Sequence, residues 1–115
     1  MSATLAYAIK FVSDMDEAVR FHRTHLGLRL RFQSPEWSEF ETGQTTLALH
    51  QSSPDHPPGT CQLGFRVSEI DHFFSELTAQ GVEAVAPPTD LHGQRIAKLR
   101  DSDGAEFSVS GAPGA

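Results

Sequence analysis

The chain has one cysteine, Cys61, one tryptophan, Trp37, and one tyrosine, Tyr7, among its 115 residues. A single thiol excludes an internal disulfide and any cysteine-built zinc centre. At the opening of a strand-like run, it reads as a small buried hydrophobe. No apolar run reaches the roughly 18 to 20 residues that span a bilayer. The opening MSATLAYAIK carries no basic segment ahead of an apolar core, so no secretory signal is expected and the cytoplasm is the expected compartment. Basic side chains are scarce: nine against 15 acidic ones, for a net charge of −6. Residues 1–53 hold five basic and six acidic side chains, and residues 54–115 hold four and nine. Without a basic patch, nucleic acid is not an expected partner, because phosphate neutralisation supplies most of that affinity. An anionic membrane surface is set aside for the same reason. No GxGxxG or P-loop run cradles a phosphate, and no serine sits in a nucleophile elbow.

What is present is a repeat. Hydrophobic content of 38% and charged content of 21% suit one soluble domain with a real core. Within it, Val12-Ser13-Asp14-Met15-Asp16 matches Val67-Ser68-Glu69-Ile70-Asp71, and Gly27 matches Gly81. Each half reads as strand, acidic cap, helix, glycine stop, then three strands. Leu5 to Val12 alternates as a strand; Asp14 or Ser13 caps a helix whose stripe is Ala18, Phe21, His22 and Leu26. Gly27 ends that helix in the left-handed conformation. Strands over Leu28 to Phe32, Trp37 to Glu41 and Thr45 to His50 follow. The second half repeats the plan with Glu69 or Ser68 as cap and Ile70, Phe73, Phe74 and Leu77 as the buried stripe. Its strands are Val82 to Ala86, Arg95 to Leu99 and Ala105 to Ser110, joined by PPTDLHGQ and DSDG. The stretch SSPDHPPGT, Ser52 to Thr60, reads as the linker. The expectation is an α+β fold: a single domain over 1–115, with one βαβββ module over 1–53, a linker over 52–60 and a second module over 61–112.

Two βαβββ units, VSDMDEAVRF after the first strand and DSDG before the last resemble the vicinal-oxygen-chelate superfamily. That group includes glyoxalase I, extradiol dioxygenases, and fosfomycin- and bleomycin-resistance proteins. The resemblance covers nearly the whole chain. It implies a curled, mostly antiparallel sheet around a cavity, helices outside, and a homodimer. It also implies a metal site with one ligand from each of four strands: His or Gln, then Glu or His, then His, then Glu. Carried onto this sequence, those positions are Tyr7, Ala48, Gln62 and Ser108. Only Gln62 is an accepted ligand type, so no metal cofactor is expected; a variant site would have to use His50 with Gln62 and Glu106.

Strand alternation assigns the faces once Tyr7 is placed inward. Ile9 and Phe11 join Tyr7; Thr46 and His50 join Ala48; Gly64 and Arg66 join Gln62; Glu106 and Ser110 join Ser108. The opposite faces, with Ala8, Val12, Leu47, Leu49, Leu63, Phe65, Val67, Phe107 and Val109, should meet the helices. The expected ligand-binding residues are Tyr7, Ile9, Phe11, Trp37 at the rim, His50, Gln62, Arg66, Glu106 and Ser108. This lining suits a small, flat, aromatic organic molecule. Arg66 either clamps an anionic group or pairs with Glu106. His50 and Tyr7 are the candidate catalytic groups, His50 as a general base. His22 and His25 form an HxxH without a third ligand and read as structural. His56 lies in the linker, His72 in the first turn of the second helix, and His92 in a loop beside Gly93 where a lid has room.

Two functions from different classes follow. One is a metal-free sequestering protein of the bleomycin-resistance type, conferring antibiotic resistance by binding. The other is a glyoxalase-like lyase, isomerase or dioxygenase, with a variant metal site or acid–base chemistry through His50 and Tyr7. An accessory domain without chemistry is the third.

Overall fold

The computed structural model describes residues 2–114. Its ten elements run β1 (Thr4–Val12), α1 (Met15–Thr24), β2 (Arg29–Gln33), β3 (Trp37–Glu41), β4 (Thr46–Gln51), β5 (Cys61–Arg66), α2 (Ile70–Ala79), β6 (Ala84–Leu91), β7 (Gln94–Arg100) and β8 (Glu106–Gly111). The fold is mixed α+β, with eight strands and two helices. No helix among the described residues is long and apolar enough to cross a membrane. The chain divides into two compact units: Ala6–Cys61, and Gln62 onward together with the first residues through Leu5.

In Ala6–Cys61 the strand order is β2-β3-β4-β1. β1 and β4 run parallel, with Ala8 opposite Leu47, Ile9 opposite Ala48 and Phe11 opposite His50. A parallel pair needs a crossover, and α1 with β2 and β3 provides it. The register sends Val12 and Leu49 to one face, where they pack with Met15, Val19 and the fully buried Phe40. The α1 stripe is therefore Met15, Val19 and His22, with Ala18 beside them. The expected stripe was rotated: Phe21 and Leu26 are 52% and 56% exposed. His22 is a core residue whose Nδ1 lies 2.7 Å from the Ala18 carbonyl and whose ring lies against Phe40. Asp14 is the N-cap, its Oδ1 accepting from the Glu17 N–H at 3.1 Å. That supplies one of the donors that a helix start leaves without a partner.

The stretch Ser52 to Thr60 is not a free linker. Phe11 N–H donates to the Thr60 carbonyl (2.9 Å) and Gly59 N–H to the Phe11 carbonyl (2.8 Å), so the segment folds back on the end of β1.

The other unit has strand order β5-β8-β7-β6. β5 and β8 are parallel, with Leu63 opposite Phe107, Gly64 opposite Ser108, Phe65 opposite Val109 and Arg66 opposite Ser110. Its core is Val67, Ile70, Ala97, Leu99 and Val109, with Phe65, Phe73, Phe74, Leu77 and Phe107 packed on it. The α2 stripe is the one expected. Leu63 and Cys61 depart from expectation: Leu63 is 47% exposed and Cys61 is exposed, since the opening of β5 has no residue in that core. β6 is also longer than expected and includes Pro87 and Pro88. It lies last in its strand order, and its register shifts twice, between Ala84 and Ala86 and between Ala86 and Thr89. Irregular end strands accept prolines because their missing N–H groups break no central ladder. His92 and Gly93, at φ 50° and 78°, form the tight β6–β7 turn rather than a lid. Before β8, Asp101 Oδ1 accepts from the Asp103 N–H (2.9 Å) and the Ala105 N–H (3.0 Å), which closes the DSDG turn.

Near the C-terminus, Asp90 Oδ1 accepts from the Gly114 N–H at 3.0 Å and from Arg95 Nη1 at 3.2 Å. Arg95 Nε also donates to Asp71 Oδ1 at 2.9 Å. The Gly114 hydrogen bond first, and then Arg95, hold the Asp90 carboxyl below its ordinary value. Asp71 and then Asp90 raise the Arg95 guanidinium.

Two predictions follow from this packing. Phe40→Ala should cost about 3–5 kcal/mol in urea unfolding, the range for a large buried aromatic, while Phe21→Ala should stay within about 0.5 kcal/mol. Equal losses at the two positions would restore the stripe through Phe21. For Asp90, the folded carboxyl titrates below the unfolded one. Its contribution is thus present above the ordinary carboxylate range, near pH 4, and is lost as pH falls through the folded value. The Gly114 amide chemical shift should therefore move only below about pH 4 and stay flat through neutrality. In Asp90→Asn that titration should disappear.

Candidate ligand-binding site

The face of Ala6–Cys61 opposite its helix-side core carries a second apolar cluster: Ile9, Phe11 and Ala48 are buried, with Tyr7 and Trp37 packed on them. These residues share a face because β1 and β4 alternate in step and Trp37 lies opposite His50 in the β3–β4 pair. Rings run across this face. Tyr7 meets Trp37 edge-on at 5.9 Å, Trp37 meets His50 edge-on at 5.9 Å, and His50 lies 5.2 Å from Phe11. His56 stacks on Phe11 at 4.5 Å and 17°. Tyr7, Ile9, Phe11, Trp37 and His50 are thus brought together as expected.

His50 Nδ1 lies 2.7 Å from the Gln51 carbonyl. A carbonyl only accepts, so Nδ1 carries the proton, and in the neutral ring Nε2 keeps its lone pair. The polar margin of the face is a network. Glu39 Oε2 accepts from Trp37 Nε1 at 2.8 Å, and Glu39 Oε1 accepts from Arg31 Nη2 at 3.0 Å and Nε at 3.2 Å. Arg31 Nη2 also donates to Thr46 Oγ1 at 2.6 Å. Arg31 reaches this face by plain alternation: Leu30 before it packs on the helix-side core, and the Leu30–Phe40 pairing sets Arg31 beside Glu39.

In the other unit, Gln62, Gly64 and Arg66 share a face of β5 with Ser108 and Glu106 of β8. Gln62 is 7% exposed. Arg66 is exposed and makes no ion pair or side-chain hydrogen bond among the described residues. It does not pair with Glu106; Lys98 Nζ lies 3.7 Å from Glu106 Oε2 instead.

Sequence reasoning missed Arg31, Glu39 and His56. Glu39 was readable, since it shares parity with Trp37. Arg31 was readable too, since it alternates with Leu30; His56 depends on a fold-back between segments distant in sequence. Two hollows of about 500 and 480 Å³ lie on the helix side of Ala6–Cys61, around Asp16 and Gln33 and around Pro35. Neither is lined by an aromatic residue, and the sheet face is the better seat for an organic ligand.

The four positions to which the resemblance carries the family's metal ligands are Tyr7, Ala48, Gln62 and Ser108. Ala48 is fully buried among Ile9 and Phe11 and has no donor atom. The ring neighbours of His50 are Phe11 and Trp37, which offer no lone pair to a cation. No group of three or more His, Cys, Asp or Glu able to hold a metal occurs among the described residues. This donor set does not fit the four-ligand centre.

Element order, parallel β1–β4 and β5–β8 pairs and an aromatic sheet face define a small α+β protein built to present a sheet surface. The chain belongs to the Glyoxalase/Bleomycin resistance protein/Dioxygenase superfamily, whose family model matches residues 4–109. No curated protein matches the sequence. Among solved structures, a hypothetical protein from Bacillus halodurans C-125 is 17% identical, with a TM-score of 0.83 over 100% of this chain and 98% of that one. Methylmalonyl-CoA epimerase from Mycobacterium tuberculosis is 19% identical, with a TM-score of 0.79 over 96% and 89%. The Streptomyces coelicolor methylmalonyl-CoA epimerase, in complex with 2-nitronate-propionyl-CoA, is 16% identical, with a TM-score of 0.77 over 99% and 98%. Identities this low carry the fold alone.

Proposed function

We propose that the protein binds a small organic molecule with a flat, aromatic part on the sheet face of Ala6–Cys61, without a metal. The observation that carries this reading is the unbroken run of ring contacts from Tyr7 through Trp37, His50 and Phe11 to His56. A planar ligand gains both apolar burial and edge or face contacts on such a surface. Ala48, where the family places a ligand atom on the metal, here supplies only apolar floor. Glu39, held by Arg31 and Trp37, fixes the indole so that the surface is formed before the ligand arrives. Sequestration, as in the bleomycin-resistance branch of the superfamily, needs nothing more than this.

Trp37 is the only tryptophan, so its emission reports on this face alone. Titration with 1-anilinonaphthalene-8-sulfonate should quench it, with and without chelator alike. Tyr7→Ala should weaken binding by about tenfold, the scale of one lost ring contact with its burial. Binding that vanishes on chelation, or that leaves Trp37 unchanged, would overturn the reading.

A second reading rests on His50. With Nδ1 tied to the Gln51 carbonyl, Nε2 is oriented as a base, and proton transfer at a carbon acid is then metal-free chemistry. The epimerase neighbours lend this reading a precedent of fold. Its test is deuterium exchange into phenylpyruvate in heavy water. Exchange above the protein-free rate that is lost in His50→Gln supports it, and exchange at the protein-free rate removes it.

A further inference from the structure

The run of rings on the Ala6–Cys61 face ends on a residue that is not on the sheet. His56 belongs to the segment Ser53–Thr60, and it is the one residue of that segment that is not exposed. Its ring lies on Phe11 at 4.5 Å and 17°, a stacked pair, whereas the other contacts along the run are edge-on or tilted. Phe11 itself is 4% exposed. With the imidazole in place, Phe11 offers a ligand almost no open surface. The backbone that carries His56 is held on both sides. Ser52 N–H donates to the Val12 carbonyl and Gly59 N–H to the Phe11 carbonyl, both at 2.8 Å. Between these anchors, Ser53 and His56 exchange backbone hydrogen bonds of 2.9 and 3.1 Å. Pro54, Pro57 and Pro58 fix their own φ, and Pro57 also restricts the backbone of His56 before it. The arm is therefore stiff, and the freedom that remains is in the side-chain torsions of His56.

We propose that His56 is a built-in plug on the aromatic face: its imidazole occupies the place that a ligand ring takes on Phe11, and it must rotate away before that ring can settle. The inference rests on the ligand-binding reading of this face and adds a self-closed state to it. The closed state is favoured by the stacked contact and by the apolar area it covers. The open state needs only a change of His56 rotamer, and every backbone hydrogen bond of the arm survives it. A ligand that binds the open population alone shows an affinity lowered by the fraction of molecules that are open. The strength of one aromatic pair sets that fraction at roughly one in three to one in ten. The plug thus makes the face selective: a ring system that covers more of Phe11 than an imidazole does gains more area than the plug gives up.

The test titrates 1-anilinonaphthalene-8-sulfonate into the parent, His56→Ala and His56→Phe, and reads Trp37 emission. Trp37 meets His50, which meets Phe11, so it reports occupancy of the face in all three proteins. His56→Ala should bind about three- to tenfold more tightly than the parent. His56→Phe keeps a ring over Phe11 and adds apolar area, so it should bind no better than the parent. A ring that serves as a wall of the site gives the opposite order, with the alanine variant weaker and the phenylalanine variant equal or tighter, and that order overturns the plug. Equal affinity in all three proteins also overturns it and leaves the ligand-binding reading standing. Quenching in none of them removes that reading and the plug together, whereas quenching in His56→Ala alone supports both. A second measurement needs no variant. In the parent, the His56 ring protons should be shifted upfield by the Phe11 ring and should move to exposed-histidine positions at saturating probe. If they stay in place while Trp37 is quenched, the plug does not open and the inference falls.

Discussion

The register of β1 against β4 is the constraint on which the Ala6–Cys61 unit depends. Fixing Ile9 opposite Ala48 fixes every other side chain on the two strands. Val12 and Leu49 then meet Phe40 and α1, while Tyr7, Phe11 and His50 go to the other face. A slip of β4 by one residue would send His50 into the helix-side core and leave Leu47 and Leu49 on the sheet surface. The hydrophobic cost of that exchange is several kcal/mol, at roughly 1.5–3 kcal/mol for each large apolar side chain moved. The same register that stabilises the unit therefore also arranges its candidate site.

Ala48 shows how one residue changes the chemistry that a fold supports. The resemblance carries one of the family's metal ligands to this position, where a donor atom would be needed. Here a methyl group is fully buried between β1 and the aromatic rings. Filling that place with a carboxylate would put a charge among Ile9 and Phe11 with no cation beside it, at a desolvation cost of several kcal/mol. The apolar floor and the four-ligand metal centre are thus alternatives. The sequence has the floor, and the ring run above it is the consistent complement.

Much of this was legible from residues alone. The repeat of Val12–Asp16 in Val67–Asp71 gave the element order, and the parity of Tyr7, Ile9 and Phe11 against Val12 gave the faces. Two things were not legible, for physical reasons. The α1 stripe is ambiguous in sequence because Ala18, Val19, Phe21, His22 and Leu26 satisfy two rotations of a helix. Packing against Phe40 decides between them, and Phe40 belongs to another strand. His56 reaches Phe11 because Gly59 and Thr60 hydrogen-bond back to β1, a contact between distant segments that a proline-rich stretch conceals. The prolines of β6 misled in the same way: they read as a joint, but end strands tolerate them.

The polar groups of the two units differ in one respect that bears on ligands. In Ala6–Cys61 the polar margin is closed on itself: both Glu39 oxygens accept hydrogen bonds, and Arg31 is engaged by Glu39 and Thr46. A ligand there gains little by competing for these groups, so its affinity comes from rings and apolar area, and its recognition is tolerant of chemical detail. On the β5–β8 face Arg66 is exposed and Lys98 lies beside Glu106, so the polar groups there meet solvent rather than a closed network. On physical grounds, then, a ligand on the aromatic face would be chosen by shape more than by functional group.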